Sequence, residues 1–111
     1  MGISGFFRKK GTAVNRRLVG CWRLVRIDGV DAPDFVELDF RPDGQLFSST
    51  KTRTRATWEI SCLTYYLDGS DTIVIDSVRT GFTFEPDGTL RLDSVSNSAW
   101  YEKGPKIAPE P

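Results

Sequence analysis

The chain contains no histidine. That removes the commonest general base, the commonest nitrogen ligand for metals and every Ser-His or Cys-His nucleophile pair. Cysteine is scarce, and Cys21 and Cys62 stand far apart, so there is neither a CxxC redox motif nor a zinc-ligand quartet. Two reduced thiols are the expectation, with one disulfide as the alternative. No run approaches the roughly 18 apolar residues of a membrane-spanning helix. No segment carries an apolar helical period over several turns. An excess of one charge is lacking too. The 15 basic and 15 acidic residues cancel, so overall charge gives no reason to expect nucleic acid as a partner.

A length of 111 residues with 39% apolar and 12% aromatic content suits one small domain with one core. The opening, MGISGFFRKKG, places its charges after a short apolar patch, the reverse of a secretory signal, and Phe6 stands where a myristoylation signal wants Ser or Thr. The expectation is a cytoplasmic protein. Residues 1–17 hold Arg8, Lys9, Lys10, Arg16 and Arg17 without an acid and read as a flexible basic tail. Residues 104–111 carry three prolines and read as a second, poorly ordered tail. The folded domain is expected over 18–103.

Within that span, short apolar or alternating runs near 18–27, 35–41, 45–54, 56–61, 63–67, 72–78, 81–85, 89–94 and 98–102 are separated by turn signals. Pro42-Asp43-Gly44 and Pro86-Asp87-Gly88 each set a tight hairpin, with proline presetting φ and glycine taking the left-handed position. A three-residue loop then pairs Phe40 with Leu46, Phe84 with Leu90 and Phe82 with Leu92, apolar on both sides as a buried face requires. The two hairpins form a weak internal repeat. Alternation points Trp22 and Leu24 inward opposite Arg23, and Val36, Leu38 and Phe40 inward opposite Glu37, Asp39 and Arg41. It also points Trp58 and Ile60 inward. Many short antiparallel strands must dispose of their exposed edges, and closure into an up-and-down barrel of about eight strands does so; a two-sheet sandwich is the alternative.

The run Leu18-Val19-Gly20-Cys21-Trp22-Arg23-Leu24-Val25 resembles the opening strand of lipocalin-like domains, with its Gly-x-Trp signature. Leu38-x-Phe40-x-Pro42-Asp43-Gly44, Thr57-Trp58-Glu59-Ile60 and Trp100 are similar to small bacterial lipocalin-like (calycin-type) domains, and the likeness spans about 18–103. It implies that Gly20 and Trp22 form the closed end of a barrel. Such families often cap that tryptophan with an arginine after the last strand; here the first basic residue after Trp100 is Lys103.

Candidate functional residues cluster on the third strand. In its expected register Ser48, Thr50, Thr52 and Thr54 face inward, and unpaired hydroxyls inside a barrel cost about 1–3 kcal/mol each unless a ligand or water meets them. Lys51, Arg53 and Arg55 would form a cationic ladder on the other face, able to hold a carboxylate or phosphate, or would enter the barrel if the parity flips. Trp58 and Phe82, among the aromatics Trp22, Phe40, Phe84 and Trp100, would supply apolar lining or core. The acids Asp28, Asp31, Asp34, Glu37 and Asp39 lack EF-hand spacing and read as a loop and a solvated face. No carboxylate pair stands out for catalysis. The expectation is therefore a non-enzymatic binder, without metal or cofactor, of a small hydrophobic or anionic molecule inside or at the mouth of the barrel. The ligand contacts would be Thr50, Thr52, Arg53, Thr54, Arg55, Trp58 and Phe82. The alternative is a protein-interaction or inhibitor module on a filled barrel.

Overall fold

A computed structural model describes residues 16–111, so the basic tail expected over 1–17 lies outside the described residues except for its last two. Nine strands follow one another: β1 (Gly20–Ile27), β2 (Val30–Asp31), β3 (Phe35–Phe40), β4 (Gln45–Lys51), β5 (Glu59–Leu67), β6 (Thr72–Ile75), β7 (Val78–Phe84), β8 (Leu90–Asp93) and β9 (Ser98–Gly104). All pairings are antiparallel. They run from β1 through β3 to β9, and β9 returns to β1 from Cys21↔Gly104 to Ile27↔Ala99. That closure makes an eight-stranded barrel rather than a sandwich, with β2 as a two-residue addition beside β1. Among the described residues no helix is long and apolar enough to cross a membrane.

Both Pro-Asp-Gly hairpins have the expected register, Phe40↔Leu46 and Phe84↔Leu90 with Phe82↔Leu92. Gly44 and Gly88 each take φ 91°, and the Asp43 and Asp87 carboxylates accept the amides of Gln45 and Thr89 at 3.0 Å. Two further tight turns carry positive φ without a proline to mark them: Asp28-Gly29, and Asp76-Ser77 with no glycine at all. The inward rows meet in one core that includes Trp22, Leu24, Leu38, Phe40, Leu46, Tyr65, Ile73, Phe82, Leu90 and Tyr101. Tyr65 lies edge-on to Phe40 at 5.1 Å and donates its hydroxyl to the Arg41 carbonyl at 2.6 Å.

The expected strands 56–61 and 63–67 are one continuous strand, β5, and this reverses a parity. Leu46↔Leu63 places Leu63 inside, so Ile60, opposite Ser49, is outside. Trp58 precedes the strand and packs against Phe35 at 6.4 Å on the outer face, so neither Trp58 nor Ile60 points inward as alternation suggested. Trp100 is outside as well, beside Arg26 and Arg91, with its Nε1 donating to Glu85 at 3.2 Å.

At one end the barrel is shut. Trp22 is buried, its Nε1 donates to the Leu18 carbonyl at 2.7 Å, and its ring lies 6.3 Å from Phe84. Lys103 crosses it: the ammonium is 5.3 Å from the Trp22 ring centre and donates to the Arg17 carbonyl at 3.1 Å, where the resemblance would have put an arginine. Gly20 makes room for this lysine, because a Cβ there would stand 2.8 Å from the Lys103 Cε, and its φ of +127° disfavours any side chain.

The C-terminal residues are not loose. They cross the outer face of β1 and β3 and cover Glu37 and Asp39, only 2% and 6% exposed, where a solvated acidic face was expected. The Glu37 carboxylate accepts the Ile107 amide at 2.6 Å and the Ala108 amide at 3.3 Å. Lys106 bridges Glu37 and Asp39 at 3.5 and 3.4 Å, and Arg41 joins Asp39 to Glu110 at 2.8 and 2.9 Å. These contacts join residues about seventy positions apart, which is why local composition suggested a free tail.

Cys21 and Cys62 are both free thiols. They sit in one outward row through Asp39 and Phe47, three strand spacings apart. At about 4.8 Å per spacing, that is roughly twice the Cα reach of a disulfide. Burial and the neighbouring Asp39 and Glu37 push the Cys21 thiol up to about 11.

Candidate functional site

The open end of the barrel gathers the loop between β4 and β5. β4 stops at Lys51, so the expected inward row of hydroxyls continues as a loop, with Ser48 and Thr50 in the strand and Thr52 and Thr54 beyond it. The chain turns tightly there, the Arg55 amide donating to the Thr52 carbonyl at 3.2 Å. This turn returns Arg55 and Thr57 over the mouth. They enclose a cleft of about 150 Å³ floored by Val36 and Thr50 of the inward row, with Glu59 at its rim.

Three of the expected ligand residues therefore meet: Thr50, Thr52 and Arg55, joined by Thr57, Glu59 and Asp34. The other four lie elsewhere. Arg53 is a strut, donating to the carbonyls of Pro33 and Ala32 at 2.8 and 3.1 Å and lying 5.0 Å above the Phe35 ring; it ties the β4–β5 loop to the preceding one. Thr54 is exposed, with its hydroxyl 3.5 Å from that of Thr52. Trp58 is on the outer face, and Phe82 is 3% exposed within the core, edge-on to Phe84 at 5.8 Å. The cationic ladder is thus broken up: Lys51 lines the cleft but directs its ammonium over the Phe35 and Trp58 rings at 5.3 and 6.0 Å, whereas Arg55 brings a guanidinium to the mouth. Arg53 and Arg55 part company because they belong to a turn, where strand periodicity no longer applies.

Chemically the cleft offers one planar cation with hydroxyls that donate or accept. Among the described residues Arg55 has one weak partner, Glu59 at 3.9 Å, with both side chains well exposed. An exposed pair of that kind contributes roughly 0–1 kcal/mol, so a ligand anion can replace it at little cost. Thr57 and Glu59 were absent from the sequence-based set because the split of β5 gave both the wrong face. Among the described residues, no group of three or more metal-ligating side chains occurs.

The fold and site together define a closed eight-stranded antiparallel barrel with one sealed end and one polar mouth. No protein family matches the chain by sequence, and no curated protein matches it either.

Proposed function

We propose that this protein is a non-enzymatic binder of a small anion, a carboxylate or phosphate, at the open mouth of a lipocalin-like barrel. The observation that carries the reading is the return of Arg55 over the mouth beside Thr50, Thr52 and Thr57. A guanidinium fork matches two oxygens of such an anion, and hydroxyls can donate to the rest. The Glu59 and Asp34 carboxylates at the rim favour a ligand that also carries an amine, as an amino acid does. Size restricts the choice. A space of about 150 Å³ holds roughly five water volumes, below the roughly 300–1,000 Å³ usual for drug-sized ligands, so a compact head group fits better than a long acyl chain. The sealed end, with Gly20, Trp22 and Lys103 interlocked, supports the calycin-type likeness.

The test is calorimetric titration with a panel of small carboxylates, amino acids and phosphates. One class should bind, with Arg55→Ala weakening it by about tenfold or more and Arg55→Lys by less, since lysine keeps the charge and loses the fork. Equal affinity in the wild type and Arg55→Ala, or no heat from any class at about 10 mM, would remove this function.

A further inference from the structure

The upper half of β5 has only one neighbour. β4 pairs with it from Glu59 to Thr64, but β6 pairs only from Tyr65 to Leu67. The break is marked by Asp76 in the β6–β7 turn: its amide donates to the Thr64 carbonyl at 3.0 Å and its carboxylate accepts the Thr64 amide at 3.1 Å. Thr64 therefore directs both main-chain groups to the β6 side. By the two-residue period of a strand, Cys62 and Ile60 direct theirs the same way. No strand meets them among the described residues, and Ser61 and Cys62 are exposed. A notch follows, walled by the β5 edge and floored by the β6–β7 hairpin.

Edges of this kind are normally blunted by a charge, a proline or a bulge. Ile60-Ser61-Cys62-Leu63 has none of these. The inward side of the notch is polar at Ser61 and apolar below it, with Leu63 and Ile75 partly buried and Val78 61% exposed where it pairs with Ile75. Its two ends are acidic, with the Glu59 side chain 79% exposed at the upper end and Asp76 at the lower.

We propose that this notch is a strand-addition site for an extended peptide segment of another protein, apolar at alternate positions and basic at its ends. Main-chain bonds to Ile60 and Cys62 hold the segment, its apolar residues lie over Leu63, Ile75 and Val78, and its cations meet Glu59 and Asp76. A second copy of β5 suits the notch less well, because antiparallel self-pairing about Ser61 would set Glu59 of one copy against Leu63 of the other. This surface adjoins the anion cleft and shares Glu59 with it, while the main-chain edge at Ile60 and Cys62 belongs to the notch alone, so Arg55→Ala frees Glu59 and spares that edge.

The test is fluorescence anisotropy of the full chain with labelled Lys-Val-Thr-Val-Thr-Val-Lys. Saturable binding is expected. N-methylation of the peptide amides that face β5 should weaken it by about tenfold or more, since each removes a hydrogen bond and crowds the edge. N-methylation of the alternate amides should change it less than about threefold. Cys62→Pro, which deletes a donor on the open side and spares the ladder to β4, should lose binding while the circular dichroism spectrum is kept; if that variant does not fold, the peptide series decides alone. Equal loss from both N-methylated sets, or no saturation at about 1 mM, overturns the proposal. So does a concentration-dependent dimer in sedimentation that excludes the peptide, because a second copy would then occupy the notch.

Discussion

Glu37→Gln should release the C-terminal segment while leaving the barrel folded. Glu37 is 2% exposed and its carboxylate takes two backbone amides and a share of Lys106. Glutamine keeps one oxygen acceptor and the shape but turns charge-assisted bonds into neutral ones, a loss of about 1 kcal/mol per bond. Lys106 retains Asp39 at 3.4 Å, and removing one of two neighbouring carboxylates relieves some repulsion, so the net cost should be about 1–3 kcal/mol. It cannot exceed the docking free energy of the segment itself, since freed amides return to water. At 1.4 kcal/mol per decade, amide exchange at Ile107 and Ala108 should quicken by roughly 5- to 140-fold. Hydrogen exchange followed by NMR reads this residue by residue. The Tyr65 amide, bonded to the Gly44 carbonyl at 2.9 Å inside the barrel, is the internal control and should slow or quicken by far less. Unchanged exchange at Ile107 and Ala108, or equal acceleration at Tyr65, would refute the idea that this carboxylate locally fastens the segment.

Ser49 has a fully buried hydroxyl without a hydrogen-bond partner among the described residues, so Ser49→Ala should leave stability unchanged or raise it by about 1 kcal/mol in chemical denaturation. Gly20→Ala should cost about 1–3 kcal/mol from backbone strain, and Gly20→Ala/Lys103→Ala should recover only the steric part, because the φ of +127° persists. Burial holds Tyr65 and Tyr101 up at about 12 against an ordinary 10. The folded state keeps these protons after the unfolded state has lost them, so stability should fall as pH rises from 10 through 12. Tyr65→Phe should flatten that fall and cost about 0.5–1.5 kcal/mol at neutral pH from the lost bond to Arg41, both readable in urea melts across pH.

Sequence reasoning did best where local chemistry dictates the answer. Proline, aspartate and glycine at 42–44 and 86–88 leave little choice of turn, and the turn sets the register of four strands. The face of Trp22 and Leu24 was equally readable, because β1 is covered inside and charged outside at Arg23. β5 was not readable, for a physical reason. Its upper half borders the mouth and lacks a second neighbour, so polar Ser61 and Cys62 occur on both faces and alternation is erased. The Asp76-Ser77 turn was hidden by its want of glycine. In the candidate site, Thr50 and Thr52 were read as an inward row and Arg55 as part of a ladder on the other face; the turn after Lys51 that brings them together is not a strand feature, and the diversion of Arg53 to the Ala32 and Pro33 carbonyls depends on a loop some twenty residues away.

β1 begins and β9 ends side by side, Cys21 opposite Gly104, at the end sealed by Trp22, and the last residues return to Arg41 on the same rim. Anything joined after the last residue is therefore anchored at the sealed pole, and Arg17, near the start of the described residues, lies there too, its carbonyl bonded to Lys103. The mouth and the bare edge of β5 face the opposite way, so the molecule has a built-in polarity. Tethered through its C-terminus by a tag or a fusion, it would hold the mouth and the bare edge of β5 away from the support.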